Sequence, residues 1–298
     1  MKKRSLKEKL VTEYVGKGFS TLCGLLIIVV TLSIIFFIGS KGIQSFTKSG
    51  LNFFTFVFSD NWNPAGSPAT YGVLAFVLGS TFVSVGALII SAPIAVALAV
   101  FTNIISTKFG EKLIKPSLEI LVGIPSVVYG WVGLMVLVPF IKNHFGGVGF
   151  SLLAGILVLS LMILPTIATL SIDAINAVPK MHIEASYGLG ATRWQTIKNV
   201  LVPEAKTGIL TGVILGLARA FGEALAVQMV IGNTVKIPNG IIDSTSTLTS
   251  ILTMDITNTV SGSAWNNALW SMAFILLIIS FIFILIVRLV ERRGTLKW

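Results

Sequence analysis

Six stretches of the chain, about residues 19–40, 72–102, 114–141, 151–175, 207–232 and 267–290, stay apolar for about 20 residues or more. An α-helix needs a run of about that length to cross roughly 30 Å of hydrocarbon. None of the six alternates polar and apolar residues as a membrane β-barrel strand does. Charged residues make up 11% of the 298, against roughly 25% in ordinary soluble domains. The expected fold class is an all-α polytopic membrane protein with six transmembrane helices.

Lysine and arginine set the orientation, because short basic loops stay on the cytoplasmic side. The N-terminal tail holds six, the 103–116 turn three, the 176–206 loop four and the C-terminal end four. The segments between them, 41–71, 141–150 and 233–266, hold two, one and one. The two groups alternate along the chain, which places both termini in the cytoplasm. A net charge of +10 does not point to nucleic acid, since the basic residues flank span ends and so favour anionic membrane lipid. The first span follows a basic tail as a signal peptide would, but it runs on without a cleavage site and is expected to remain a helix. Cys23, alone, forms no internal disulfide.

The expected organisation is a cytoplasmic tail at 1–18 and a single transmembrane permease domain at 19–298, with its core at about 72–290. Within 6–15, Leu6, Leu10, Val11 and Tyr14 share a face, which fits either a helix lying on the membrane surface or a frayed tail. The Ser/Thr-rich stretch 244–250 either dips into the membrane or faces a partner outside. No internal repeat pairs the first three spans with the last three, unlike many carriers. Spans two to four are interrupted at Gly79-Ser80-Thr81, Pro93, Gly123-Ile124-Pro125-Ser126 and Pro165-Thr166. A proline frees a carbonyl that must find another donor in lipid. Ser80, Thr81 and Ser126 are therefore candidate lining of a path; a kink packed by its neighbours is the other reading of each proline.

In the fifth span Gly208, Gly212 and Gly216 recur every four residues, a small-residue ladder that admits another helix closely. On a continuous helix, Arg219 and Glu223 fall on the same face, within about 80° of one another and of the glycines. A charge at mid-membrane costs at least about 2.5–3.5 kcal/mol. Two readings meet that cost: an internal ion pair holding helices together, or a charged constriction for anions, which arginine suits through bidentate donation. Glu119 and Asp173 each read as an interfacial group or the partner of a basic residue. His144 and His182 form no cluster with Cys23, and no metal or nucleophile constellation is visible.

No G-x-x-x-x-G-K-[ST] occurs, so the chain is not expected to hydrolyse ATP by that route. In the 176–206 loop, Thr192 with Gln195 fits a capping box, and Pro203 suits the first turn of the fifth span. Bends at Gly188 and Gly190 would leave two short cytoplasmic helices fit for a groove on a soluble partner.

That segment closely resembles the EAA loop of bacterial ABC importer permeases: E-A-A-x-x-x-G and, after nine more residues, I-x-L-P, matched by Glu184, Ala185, Gly190 and Pro203. Ser186, Val200 and Val202 depart from the pattern conservatively. Further segments resemble the PstC-type permeases of phosphate-specific transport: Trp62-Asn-Pro64, Gly123-Ile-Pro-Ser-Val-Val-Tyr-Gly130, Ala218-Arg-Ala-Phe-Gly-Glu-Ala-Leu-Ala-Val227 with Gly232-Asn233, and Thr247-Leu-Thr-Ser250. Ala224 stands where that family usually has Thr, so a hydroxyl there is not essential. The resemblance implies the type I importer permease fold in a bacterial cytoplasmic membrane. It makes Glu184, Ala185, Gly188, Gly190, Ala191 and Pro203 the ATPase-coupling segment. It also implies a PstA-like second permease, two PstB-like ATP-binding subunits and a PstS-like outer phosphate-binding protein. No cofactor is expected on this chain; ATP is used by the partner. A permease of the same architecture for sulfate, molybdate or an amino acid is the alternative, and a stand-alone carrier or channel a more distant one.

Overall fold

The computed structural model describes residues 15–295; the reading of residues 6–14 lies outside the described residues. Among the described residues the regular structure is helical apart from one short antiparallel pair, β1 (Trp62–Asn63) and β2 (Thr70–Tyr71), and a single parallel bridge between Gly232 and Thr245. Among the described residues five helices are long and apolar enough to cross a membrane, or six if the bent pair Arg193–Glu204 and Lys206–Gly222 counts as one span. The five are α1 (Gly16–Thr47), α3 (Leu74–Ile105), α5 (Ser126–Phe145), α6 (Leu152–Asn176) and α12, whose Ala264–Leu289 stretch meets the criterion and which runs to Thr295. A short α2 (Phe53–Phe58) precedes β1.

The third and fifth spans are not continuous. The third is split into α4 (Lys115–Gly123) and α5, with Ile124 and Pro125 extended between them. The fifth is split into α9 (Lys206–Gly222) and α10 (Leu225–Ile231) by Glu223, whose φ of -75° and ψ of 123° leave the helical region. Pro93 and Pro165, by contrast, lie inside the unbroken helices α3 and α6. The loop between spans four and five forms α7 (Lys180–Gly188) and α8 (Arg193–Glu204). A 66° bend then leads into α9, so the fifth span opens at Lys206, one turn after Pro203. On the other side of the molecule α11 (Leu248–Asp255) precedes α12.

The long helix α6 is central, with α3 and α9 packed along it and Leu159, Ile163, Ile167 and Ala168 fully enclosed. Lipid tails are as apolar as leucine, so helix association here rests on close packing rather than on escape from water. A hydrogen bond adds to it: Ser91 Oγ on α3 donates to the Ser160 carbonyl on α6 at 2.8 Å. A second core of Phe56, Trp62, Phe76, Leu248, Leu269 and Met272 closes the end that the charge pattern places outside. The helix α1 packs chiefly on α12, burying only Gly42 and Ser45. There Ser271 Oγ lies 2.7 Å from Ser45 Oγ.

Candidate functional site

The glycine ladder of α9 lies against α6. A Cβ at Gly216 would stand 2.6 Å from Ile167 Cγ1, one at Gly212 3.1 Å from Leu170 Cβ, and one at Gly208 would strike Ala174 Cβ. Arg219 follows at the end of this contact, half-buried, and its Nη1 donates to Thr166 Oγ1 of α6 at 3.1 Å. Thr166 is the hydroxyl beside the Pro165 interruption.

Glu223 does not continue that face, because the helix has ended at Gly222. Its carboxylate turns forward and accepts from Ala226 N at 2.9 Å, capping the first turn of α10. No Glu223 oxygen comes within 4.0 Å of an Arg219 nitrogen. The two charges are near neighbours in sequence that serve different elements, and the ion pair an unbroken helix would favour is not formed.

Beside the break lies a polar cavity walled by Ser80, Ser84, Glu223, Thr247 and Thr249 together with Val83, Ala220, Phe221 and Val227. Its free space of about 10 Å³ is about that of one water. Ser80 Oγ accepts from Leu248 N at 2.9 Å. Thr249 Oγ1 donates to the Glu223 carbonyl at 2.8 Å. Ser84 is 2% exposed. Thr81 turns away, donating to Val77 O of its own helix, and Ser126 begins α5 without lining the cavity. Of the hydroxyls marked in the sequence, then, only Ser80 meets Glu223 here. Ser84, Thr247 and Thr249 join it; the Ser/Thr-rich composition of 244–250 was the signal for the two threonines, and Ser84 had none.

The break in span three faces the same region. Pro125 leaves the Leu121 carbonyl without its helical donor, and the Tyr129 hydroxyl supplies one at 2.8 Å. The half-helix α5 then packs on α10, where a Cβ at Gly130 would stand 2.9 Å from Ala226 Cα. Gly232, at φ +97°, ends α10. In the loop beyond it, the carboxyl of Asp243 is held below the usual range by the Asn239 backbone N–H and by Lys236 Nζ at 3.5 Å, against an opposing effect of burial.

At the opposite end, the cytoplasmic one by charge, Thr192 and Gln195 form the full capping box at the start of α8. Gly190 carries φ +81°, with no atom within 4 Å of where its Cβ would be. Glu184, Ala185, Gly188, Gly190 and Pro203 are exposed and Ala191 is half-buried. Leu189 and Trp194 stand out at 90% and 68% exposure. Ser186 Oγ lies 2.9 Å from Thr196 Oγ1, tying α7 to α8.

Comparison with known proteins adds one family, two relatives and two solved structures. The family described as "Binding-protein-dependent transport system inner membrane component" matches residues 91–295. The chain is 50% identical over 290 residues to the probable ABC transporter permease protein YqgH of Bacillus subtilis (strain 168), covering 97% of this chain and 94% of that one. It is 32% identical over 255 residues to the phosphate transport system permease protein PstC of Mesorhizobium japonicum, covering 79% and 77%. Among solved structures, a bacterial alginate ABC transporter bound to a periplasmic protein carrying alginate pentasaccharide aligns with a TM-score of 0.65 at 13% identity, over 97% of this chain and 98% of that one. The inward-facing methionine transporter MetNI aligns at 0.55 with 22% identity, over 75% and 94%. At such identities the structures speak for the fold alone.

Proposed function

The chain belongs to the inner membrane components of binding-protein-dependent transport systems, the multi-pass, non-catalytic permease subunits of ABC importers, and from that premise we propose that its cargo is inorganic phosphate. Family membership implies ATPase subunits on one side and a substrate-binding protein on the other. In the proposed complex these are two PstB-like subunits and a PstS-like protein, with a PstA-like chain as the other half of the path. The phosphate permeases among the relatives, at about a third identity, favour this cargo.

The observation that carries the proposal is Arg219. Its guanidinium sits within a span, hydrogen-bonded to a neutral threonine and, among the described residues, not matched by a carboxylate within 4.0 Å. A charge in that setting favours an anion as its transient partner, which a neutral cargo would not supply. Glu223 adds discrimination: one carboxylate oxygen holds Ala226 N, and the other is left to accept a proton-bearing oxygen. Phosphate at neutral pH offers one, whereas sulfate does not. Uptake by the assembled complex, with labelled phosphate and sulfate in competition, tests both parts. Glu223→Gln is expected to erode the preference for phosphate, and an unchanged preference would remove that role.

Coupling to ATP is assigned to Glu184, Ala185, Gly188, Gly190, Ala191 and Pro203. Gly190→Val tests this cleanly, because the added side chain meets open space and only the left-handed backbone is penalised. The variant is expected to insert normally and to lose phosphate-driven ATP hydrolysis; normal uptake and hydrolysis would make the loop a mere connector.

A further inference from the structure

We infer that Thr249 is the latch of an outer gate: its hydroxyl holds the break in the fifth span shut against the strap 245–250, and its release opens the cavity beneath. The inference does not depend on which anion passes.

The strap is held in two different ways on its two sides. Toward α3 and α12 it is anchored by packing. Leu248 is fully buried with Phe76, Leu269 and Met272, and Gly79 of α3 lies so close to the Ser246 carbonyl that a Cβ there would collide with it. Toward the fifth span its first residue, Thr245, is paired through the backbone, its N–H donating to Ile231 O at 3.3 Å and its carbonyl accepting from Thr234 N at 3.2 Å, while beside the break the contacts are single hydroxyls: Thr249 Oγ1 to the Glu223 carbonyl at 2.8 Å, and Thr253 Oγ1, from α11 behind the strap, to Gln228 Oε1 at 2.8 Å. Apolar packing in a fitted core resists displacement. Lone hydroxyl bonds can be exchanged for water at little net cost. When α9 moves at the Glu223 break, the strap therefore stays with α3, α12 and the end of α10 to which Thr245 is paired, and the parting line runs through Thr249.

What lies under that line suits a gate. Ser80, Ser84, Thr247 and Thr249 face the cavity, yet their exposures are 5, 2, 3 and 8%. This chain alone thus seals its polar wall, about 9–15 Å along α3 from Leu74 by helical rise. Among the described residues Ser84 Oγ has no hydrogen-bond partner in this closed state, which leaves a donor free for whatever enters. The bond from Thr249 also falls on the residue whose carboxylate caps α10, so closing the strap and positioning Glu223 are one event.

The test uses the assembled importer in nanodiscs, with Cys23→Ser and a reporter Ser84→Cys, and measures the rate of labelling by a water-soluble, charged thiosulfonate that reaches both faces. In the parent the reporter should react slowly. Thr249→Val, which keeps shape and removes the donor, should raise the rate at least about fivefold, and Thr249→Ser should restore it to within about twofold of the parent. Co-purification with the ATPase checks assembly. Should Thr249→Val not assemble, Thr249→Ala, which removes the same donor without adding bulk, must give the same rise. An unchanged rate in whichever variant assembles, or failure of Thr249→Ser to restore closure, overturns the latch. Because labelling needs no cargo, this result stands apart from the phosphate proposal, which uptake competition decides.

Discussion

The two broken spans solve one physical problem by opposite means. At Pro125 the break is written into the chain by a residue that cannot donate, and the freed carbonyl of Leu121 is satisfied from only eight residues away, by Tyr129. At Glu223 no proline forces the helix to stop. The downstream half is capped by a carboxylate, and the break itself is held by Thr249, 26 residues on. A locally satisfied break is rigid whatever the rest of the molecule does. One held from a distant segment closes only while that segment is in place, and so can take part in a conformational cycle.

The largest test of this contrast is charge removal beside the second break. Arg219→Gln, alone or with Glu223→Gln, is expected to assemble with the ATPase and to lose phosphate uptake by at least about 100-fold. If these groups were only a structural pair, the double variant should recover much of what the single loses, since the penalty lies in leaving one buried charge unmatched; recovered uptake would erase the functional distinction between the breaks. The next effect concerns their contact. Gly130→Val places carbon against Met229 Sδ and Ala226 Cα, which a Cβ alone would approach to 2.8 and 2.9 Å. Overpacking of this kind costs about 1–3 kcal/mol, and uptake should fall about tenfold if the two half-helices must slide past each other. Tyr129→Phe isolates the first break. The half-buried Leu121 carbonyl would keep only the long 3.4 Å contact from Ile124 N, a loss of about 1 kcal/mol, so the complex should melt slightly earlier while the KM for uptake holds steady; a shifted KM would make this break functional too. The smallest effect is expected far from both. Ser186→Ala, which restores the alanine of the EAA pattern, deletes one half-buried hydroxyl contact worth about 1 kcal/mol and should change ATP consumed per phosphate by less than about twofold.

Much of this architecture was legible in the chain. The apolar runs identify the crossings, Thr192 and Gln195 announce the start of α8, and Gly208, Gly212 and Gly216 mark the side of α9 that meets α6. The breaks were only half legible. Pro125 interrupts its span as its chemistry demands, but α3 and α6 continue through Pro93 and Pro165, because packed neighbours can tolerate a missing donor. Glutamate is a good helix former, so nothing local announces that the fifth span stops at Gly222. That stop is fixed by capping and by Thr249, which only the fold brings near. The same limit explains Ser84. On a helix apolar all round, sequence cannot say which of several hydroxyls faces a cavity, and Thr81, one turn away, spends its own on its helix backbone.

The sparse attachment of α1 bears on how the protein is made. Its chief partner, α12, begins at Ala264, more than two hundred residues later in synthesis. At about 5–20 residues per second, the first helix waits on the order of ten to fifty seconds in the bilayer before its partner emerges. A soluble helix with so many bare leucines and isoleucines would need shielding during that interval. In lipid the same side chains are already at home, and only the patch around Gly42 and Ser45 is left to be matched. The first crossing can therefore fix the orientation of the nascent chain at once, and the last can find it later by a single docking step.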